Sequence, residues 1–380
     1  MKSNYDVLGN HIQLVDVRNR ELITERVLGI SIDKAFMPSV ANVIGTDLSK
    51  YKLLEKGRFA CNPMHVGRDE RLPVALYEED VPAIVSPACF MFEVIDSTIL
   101  NEEYLMMWLR RPEFDRECWF HTDGSVRGGI LWEDICRLEI PIPSIEKQRE
   151  IVAAYRAISD RIELKKKINN NLADTISAHF IHIYNETSEE TSKSLEDVCT
   201  LASSKRIFAD EYVSNGIPFY RGKEITMKQA GEPITDPLYI AKDYFDELKS
   251  KYGSPDEGDI LLTAVGTIGN SYFVKKEDFY FKDGNIIWLK NFKDSLNFYI
   301  YDFMQTEIFK RMLDGICIGS TQTALTIVSL SKLQIKIPAP DILAKYTLLS
   351  KTVRNQIEKN VDEIYRLHEM QSVLLANLSR

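Results

Sequence analysis

The feature that constrains this chain most is a strand-and-helix design written twice at a fixed offset. Leu138-Glu139-Ile140-Pro141-Ile142-Pro143 is a short apolar strand ending in proline, and Leu333-Gln334-Ile335-Lys336-Ile337-Pro338 repeats it 195 residues later. The same offset carries Tyr104 onto Tyr299, Phe114 onto Phe309 and Gly124-Ser125 onto Gly319-Ser320. Downstream it carries Ile158 onto Val353, Ile162 onto Ile357 and Leu172 onto Leu367. A six-residue match could arise by chance. An ungapped register over this span, with apolar positions landing on apolar ones, identifies a domain-plus-helix unit present twice.

Each copy ends in a helix whose apolar residues step alternately by three and four. Ile151, Tyr155, Ile158, Ile162, Leu172 and Ile176 mark one seam; Val353, Ile357, Ile364, Leu367, Leu374 and Leu378 mark the other. That stepping is the narrow seam of a coiled coil, not the wider stripe of a helix lying on a sheet. Helices of about 40 residues would each run ~60 Å. Because the chain goes domain, helix, domain, helix, the compact closure is an antiparallel pair with the domains at its ends. The seam core falls to Ile158, Ile162, Leu172, Val353, Ile357 and Leu367. Lys165, Asn169, Asn360 and Gln371 interrupt it, and such positions cost stability and fix register. For Lys165 the alternative is that it only snorkels out of the seam.

The expected fold is α+β: two mixed, strand-rich domains separated by a long antiparallel two-helix coiled coil, with an internal pseudo-two-fold repeat. The boundaries are 1–143 for the first domain, 144–185 for the first long helix, 186–338 for the second domain and 339–380 for the second helix. The acidic, hydroxyl-rich run 186–192 is the internal linker. In the first domain His11–Val17, Gly29–Ile32, Pro73–Tyr77 and Ala88–Ile95 read as strands, and a helix begins at Asn101 and is broken by Pro112. In the second, Ile217–Tyr220, Asp259–Ala264, Ser271–Val274 and Asn285–Leu289 read as strands, and Leu296–Met312 as the counterpart helix.

No catalytic set emerges. Gly222-Lys223 is followed by Glu224, so no phosphate-binding P-loop is present. No two prolines are adjacent, which excludes the Asp/Asn-Pro-Pro-aromatic element of adenine methyltransferases; Asn62-Pro63-Met64 is one proline short. His179 and His182 lie three apart on a helix with no third metal ligand near them in sequence. Asp256, Glu257 and Asp259 read as a turn. Six scattered cysteines suit reduced thiols better than disulfides or zinc. No signal peptide or membrane span is evident, and a cytoplasmic location is expected.

The polar loops are the better candidates. Asn62, His65 and Arg68 in the first domain, and Arg221, Lys223, Thr267 and Asn270 in the second, are residue types that bond base edges and phosphates. The two Gly-Ser loops add Ser125 and Arg127 in one copy and Ser320 and Gln322 in the other. One scaffold with two unlike loop sets suggests two related binding tasks. The formal charge of −9 runs against a nucleic-acid partner and requires a locally basic surface.

The chain resembles the DNA-specificity subunit of Type I restriction-modification enzymes over essentially its whole length. The resemblance is carried by three runs in their order. They are Leu138 to Val152, with its Glu-Lys-Gln-Arg-Glu signature at 146–150, Gly258 to Gly269, and Gly319-Ser320-Thr321-Gln322 before the Ile335 strand. The second copy departs from the signature at 340–345. The resemblance implies that residues 1–143 and 186–338 are target-recognition domains, each reading half of a split site in double-stranded DNA, and that the chain is not itself an enzyme. It implies two modification (methyltransferase) subunits that use S-adenosylmethionine to methylate adenine N6, and restriction/translocase subunits that use ATP and Mg. No cofactor is expected to be bound by this chain, and the residues themselves point to no metal site and no membrane partner. The alternatives are a coiled-coil protein-interaction scaffold without DNA specificity and a stand-alone DNA-modifying enzyme.

Overall fold

A computed structural model describes residues 4–40, 45–64, 66–122, 128–231, 234, 236–317 and 324–378. Contacts divide it into two compact units, one of Met1–Glu163 with Ile364–Arg380, the other of Leu164–Glu363. The fold is α+β, and both units are built on one plan.

In the first unit the central sheet has four antiparallel strands in the order Ile12–Leu14, Phe90–Val94, Phe59–Cys61, Val74–Leu76. The second unit repeats it as Thr200–Ala202, Ile286–Lys290, Ile260–Thr263, Ser271–Phe273. Phe59, Ala60 and Cys61, like Ile260, Leu261 and Leu262, are wholly buried, so the inner strand reads as a continuous apolar run. A two-stranded ribbon closes each unit. Tyr5–Val7 pairs with Glu139–Pro141, and Ser192–Ser194 pairs with Gln334–Lys336. The offset of 195 survives in the acceptors: Leu8 N donates to Leu138 O at 2.7 Å, and Leu195 N to Leu333 O at 3.1 Å. Buried Tyr104 donates its hydroxyl to Pro141 O, and buried Tyr299 donates to Lys336 O, both at 3.1 Å.

The helices after the sheet correspond as well. Glu102–Leu109 is capped by Asn101 and matches Asn297–Met304; Pro112–Phe120 matches Glu307–Ile316. Two expectations change here. Pro112 not only ends one helix but starts the next, at the first-turn position where its missing N–H costs nothing. The expected single helix Leu296–Met312 is two, because Thr306 caps a new start by accepting from Phe309 N. The first unit adds ribbons Leu28–Ile30 with Phe36–Pro38 and Lys52–Leu54 with Ala83–Val85. The second adds a second four-stranded sheet and two helices, Gly222–Ala230 and Lys242–Tyr252.

The central helix runs Ile145–Glu186 and the terminal helix Pro340–Asn377. Within the first unit Val152 and Tyr155 pack in one core with Leu375 and Leu378, and Gln371 Nε2 donates to Ser159 Oγ at 2.8 Å. Within the second, Ile176 and Phe180 pack with Tyr346 and Val353. In both, rising numbers on one helix meet falling numbers on the other, which is antiparallel pairing. Ile162, Val353 and Leu367 are buried, and Ile158, Leu172 and Ile357 are half-buried. Lys165 does not snorkel away. Its Nζ donates to Asn360 Oδ1 at 3.0 Å and pairs with Glu363 at 2.9 Å. Asn360, 1% exposed, donates in turn to Asn169 Oδ1 at 2.7 Å. Among the described residues no helix is long and apolar enough to cross a membrane.

Candidate nucleic-acid interface

Each central sheet ends its inner strand in a loop, and each loop is clasped by the segment that follows the Gly-Ser run. In the first unit Ile130 N donates to Pro63 O at 3.2 Å and Gly67 N to Gly128 O at 3.0 Å. In the second, Leu325 N donates to Ala264 O at 2.9 Å. Ile130 and Leu325 are 195 residues apart and both are buried, so the clasp belongs to the repeated scaffold. Gly129 lies so close that a Cβ there would sit 3.1 Å from Pro63 O. The side chains that the clasp presents differ entirely between the copies.

In the first unit Asn62 is half-buried, and its Oδ1 accepts from Met64 N at 3.1 Å, an Asx turn that shapes the loop. Arg68 is exposed on the helical turn Val66–Asp69 and pairs in fork geometry with Asp69 at 2.6 and 2.9 Å. His65, Ser125, Arg127, Ser320 and Gln322 lie outside the described residues.

In the second unit the four described candidates share one neighbourhood. Buried Thr263 ends the inner strand and fastens the loop after it: its Oγ1 donates to Thr267 O and accepts from Asn270 N at 3.0 Å. Gly266 and Gly269 supply the left-handed φ values of 79° and 92° that the turn needs. Asn270 Nδ2 donates to Thr226 Oγ1 at 2.9 Å, and Thr267 Oγ1 lies 3.4 Å from the same hydroxyl. Thr226 stands on Gly222–Ala230, the helix that also carries exposed Lys223. Arg221 precedes that helix and pairs with buried Glu224 at 2.6 and 3.1 Å, while Arg221 N donates to the same carboxylate at 2.8 Å. Burial alone would raise the Glu224 carboxyl, but the guanidinium and these N–H donors hold it below the usual range. Arg221 thus anchors the helix start; Lys223 and Thr267 are exposed, and Asn270 is half-buried with its amide on Thr226.

Sequence reasoning missed the helix Gly222–Ala230 and with it Thr226. The signals were Glu224 at the third position and Gly231, left-handed at φ 71°, just past the end. It also missed Thr263, whose role depends on a loop it closes. Lys228 holds the far side of this helix against Glu277 at 2.5 Å, over the rings of Tyr220 and Tyr272. Asp256, Glu257 and Asp259 do form a turn, with Asp256 N donating to Asp259 at 3.0 Å and Trp288 Nε1 at 2.7 Å. Among the described residues no cluster of His, Cys, Asp and Glu could hold a metal ion.

The family model for the Type I restriction modification DNA specificity domain matches residues 73–174 and 187–359, well over half the chain. The chain belongs to that specificity-subunit family. A putative type I restriction enzyme specificity subunit from Haemophilus influenzae is 29% identical over 297 residues, 74% of this chain and 73% of its own length. The crystal structure of a Type I restriction-modification system S subunit from M. genitalium aligns over 98% of this chain and 95% of its own, with TM-score 0.59 and 14% identity, a likeness of fold.

In this specificity chain the Glu-Lys-Gln-Arg-Glu signature has a physical reading. Gln148 is wholly buried; its Nε2 donates to Ile99 O and Pro143 O at 2.8 and 2.9 Å, and its Oε1 accepts from Asn101 N at 2.8 Å. One amide thus fastens the central helix to the cap of Glu102–Leu109. In the second copy Leu343 stands in its place, and a buried ionic cluster takes over. Asp302, 4% exposed, accepts from Tyr346 and Ser350 hydroxyls at 2.7 Å each and pairs with Arg354.

Proposed function

We propose that this chain is the address-reading, non-catalytic subunit of a Type I restriction-modification complex, each unit reading one half of a split duplex site. The observation that carries this is the shared clasp with unlike side chains: Asn62 and Arg68 on one copy, Lys223, Thr267 and Asn270 on the other. A duplicated scaffold with a constant backbone and variable loops suits two readings of different base sequences. Phosphate contacts would set register, and the loop amides and hydroxyls would select base edges.

The long helices would set the separation of the half-sites and seat two modification subunits, one per quasi-equivalent copy. Those partners would supply S-adenosylmethionine chemistry, methylating an adenine turned out of the duplex. Restriction subunits would supply ATP- and Mg-dependent translocation and cleavage. This chain contributes recognition and positioning only.

The test is to map N6-methyladenine in DNA from cells carrying the chain with its methylase partner, and to assay the purified chain alone with S-adenosylmethionine. A motif split into two short blocks by unspecified bases, and no transfer by the chain alone, is expected. A continuous motif, or methyl transfer without a partner, would overturn the reading.

A further inference from the structure

The two units differ in how their clasped loops would meet a duplex, and the first unit's carries exposed apolar side chains at the clasp itself. Met64 and Leu131 each follow directly on one partner of the Pro63–Ile130 bond, and they are 50% and 64% exposed. Met64 is held outward by the Asx turn at Asn62, and Leu131 precedes the helix Trp132–Arg137. Phe120, 82% exposed, ends the helix that packs beside Val66–Asp69. One exposed apolar side chain is ordinary. Two flanking a single clasp, beside an arginine and an asparagine, place apolar surface where the proposed duplex would lie. In the second unit Thr326 occupies the position of Leu131, and the loop carries Thr267 and Asn270.

We infer that Met64 and Leu131 are specificity-determining residues of the first unit, reading the C5-methyl groups of thymines in the major groove of its half-site. The thymine methyl is the apolar mark on a base edge there, and apolar side chains are its natural contact. Asn62 and Arg68 flank the pair with the donors that adenine and guanine edges take, so the half-site contains at least one A·T pair read by its methyl. This rests on the DNA-reading role proposed above.

The test uses the complete complex of this chain with its methylase on duplexes of the mapped motif, with uracil replacing thymine in one half-site at a time. Uracil keeps every hydrogen bond and removes only the methyl. In one half-site, removal of each contacted methyl weakens binding about fourfold, the effect of exposing one buried methylene. The double variant Met64→Ala, Leu131→Ala binds thymine and uracil duplexes of that half equally, while its response to uracil in the other half is that of the wild type. Unchanged affinity with uracil in both halves overturns the inference while leaving a split, methylated motif intact. A motif that is not split overturns the functional reading and this inference together. If the variant instead loses its methylase subunit on gel filtration and still distinguishes uracil, the surface serves assembly, and the inference fails.

Discussion

Asp302 is a buried carboxylate of the second unit that gathers three side chains of the terminal helix. Taking it out of water is costly, and Tyr346, Ser350 and Arg354 together offset that cost by filling its lone pairs. Arg354 also lies 4.3 Å over the Tyr301 ring, so its planar group is packed as well as paired. Arg354→Met leaves a buried carboxylate with hydroxyls alone, and we expect a loss of about 3–5 kcal/mol. Hydrogen exchange in Asn297–Met304 and the start of the terminal helix reads it; unchanged protection would contradict the assignment. None of this was legible in the sequence, because Asp302 meets partners 44 to 52 residues away and nothing local marks the pairing. Gln148 was legible as part of a signature, but its three bonds to Ile99, Pro143 and Asn101 were not. Residue types marked the loops at Asn62 and Asn270; only the structure shows that Asn270 meets Thr226 and that Arg221 is engaged by Glu224.

At the scale of elements, the seam was the most legible part of the chain, since a three-and-four period admits little else. The polar break in it carried two readings, and the bonding of Lys165 to Asn360 and Glu363 selects the interior one. The positions are themselves related by the repeat, so the helix pair meets its own equivalent there. Asn360→Leu leaves the Lys165 ammonium with Glu363 alone and takes the donor away from the Asn169 carbonyl, and should destabilise the helix pair by about 1–3 kcal/mol. Lys165→Leu with Asn360→Leu should recover part of that loss, because no ammonium remains in the seam and the partners it leaves, Asn169 and Glu363, are partly exposed to water. Urea unfolding of wild type, both single variants and the double variant measures the coupling; additive effects would contradict the network. Gly222–Ala230 was illegible for the opposite reason. It opens on glycine, has few apolar residues and is held by Lys228 and Thr226 contacts distant in sequence.

The whole molecule is a repeat whose constant parts lie in the central sheets, the closing ribbons and the helices behind them, and whose variable parts include the clasped loops. Tyr104 with Tyr299, Leu138 with Leu333 and Ile130 with Leu325 keep their bonds, and the same offset shows in the sequence because these positions keep their residue character. The added sheet and helices of the second unit have no counterpart in the first, so the repeat could not announce them. The charge of −9 limits sequence-independent attraction to DNA, which scales with the phosphates neutralised. Arg68, Arg221 and Lys228 are also paired with acids of their own unit. On the proposed reading, selection would fall on base-edge contacts at each clasp, and the two clasps should be separable. The direct test replaces residues 1–143 with the first domain of another specificity-family member and maps N6-methyladenine in the host genome. The account predicts that one half of the split motif changes while the other half, with its methylated adenine, stays as it was. A change in both halves, or in neither, would contradict it.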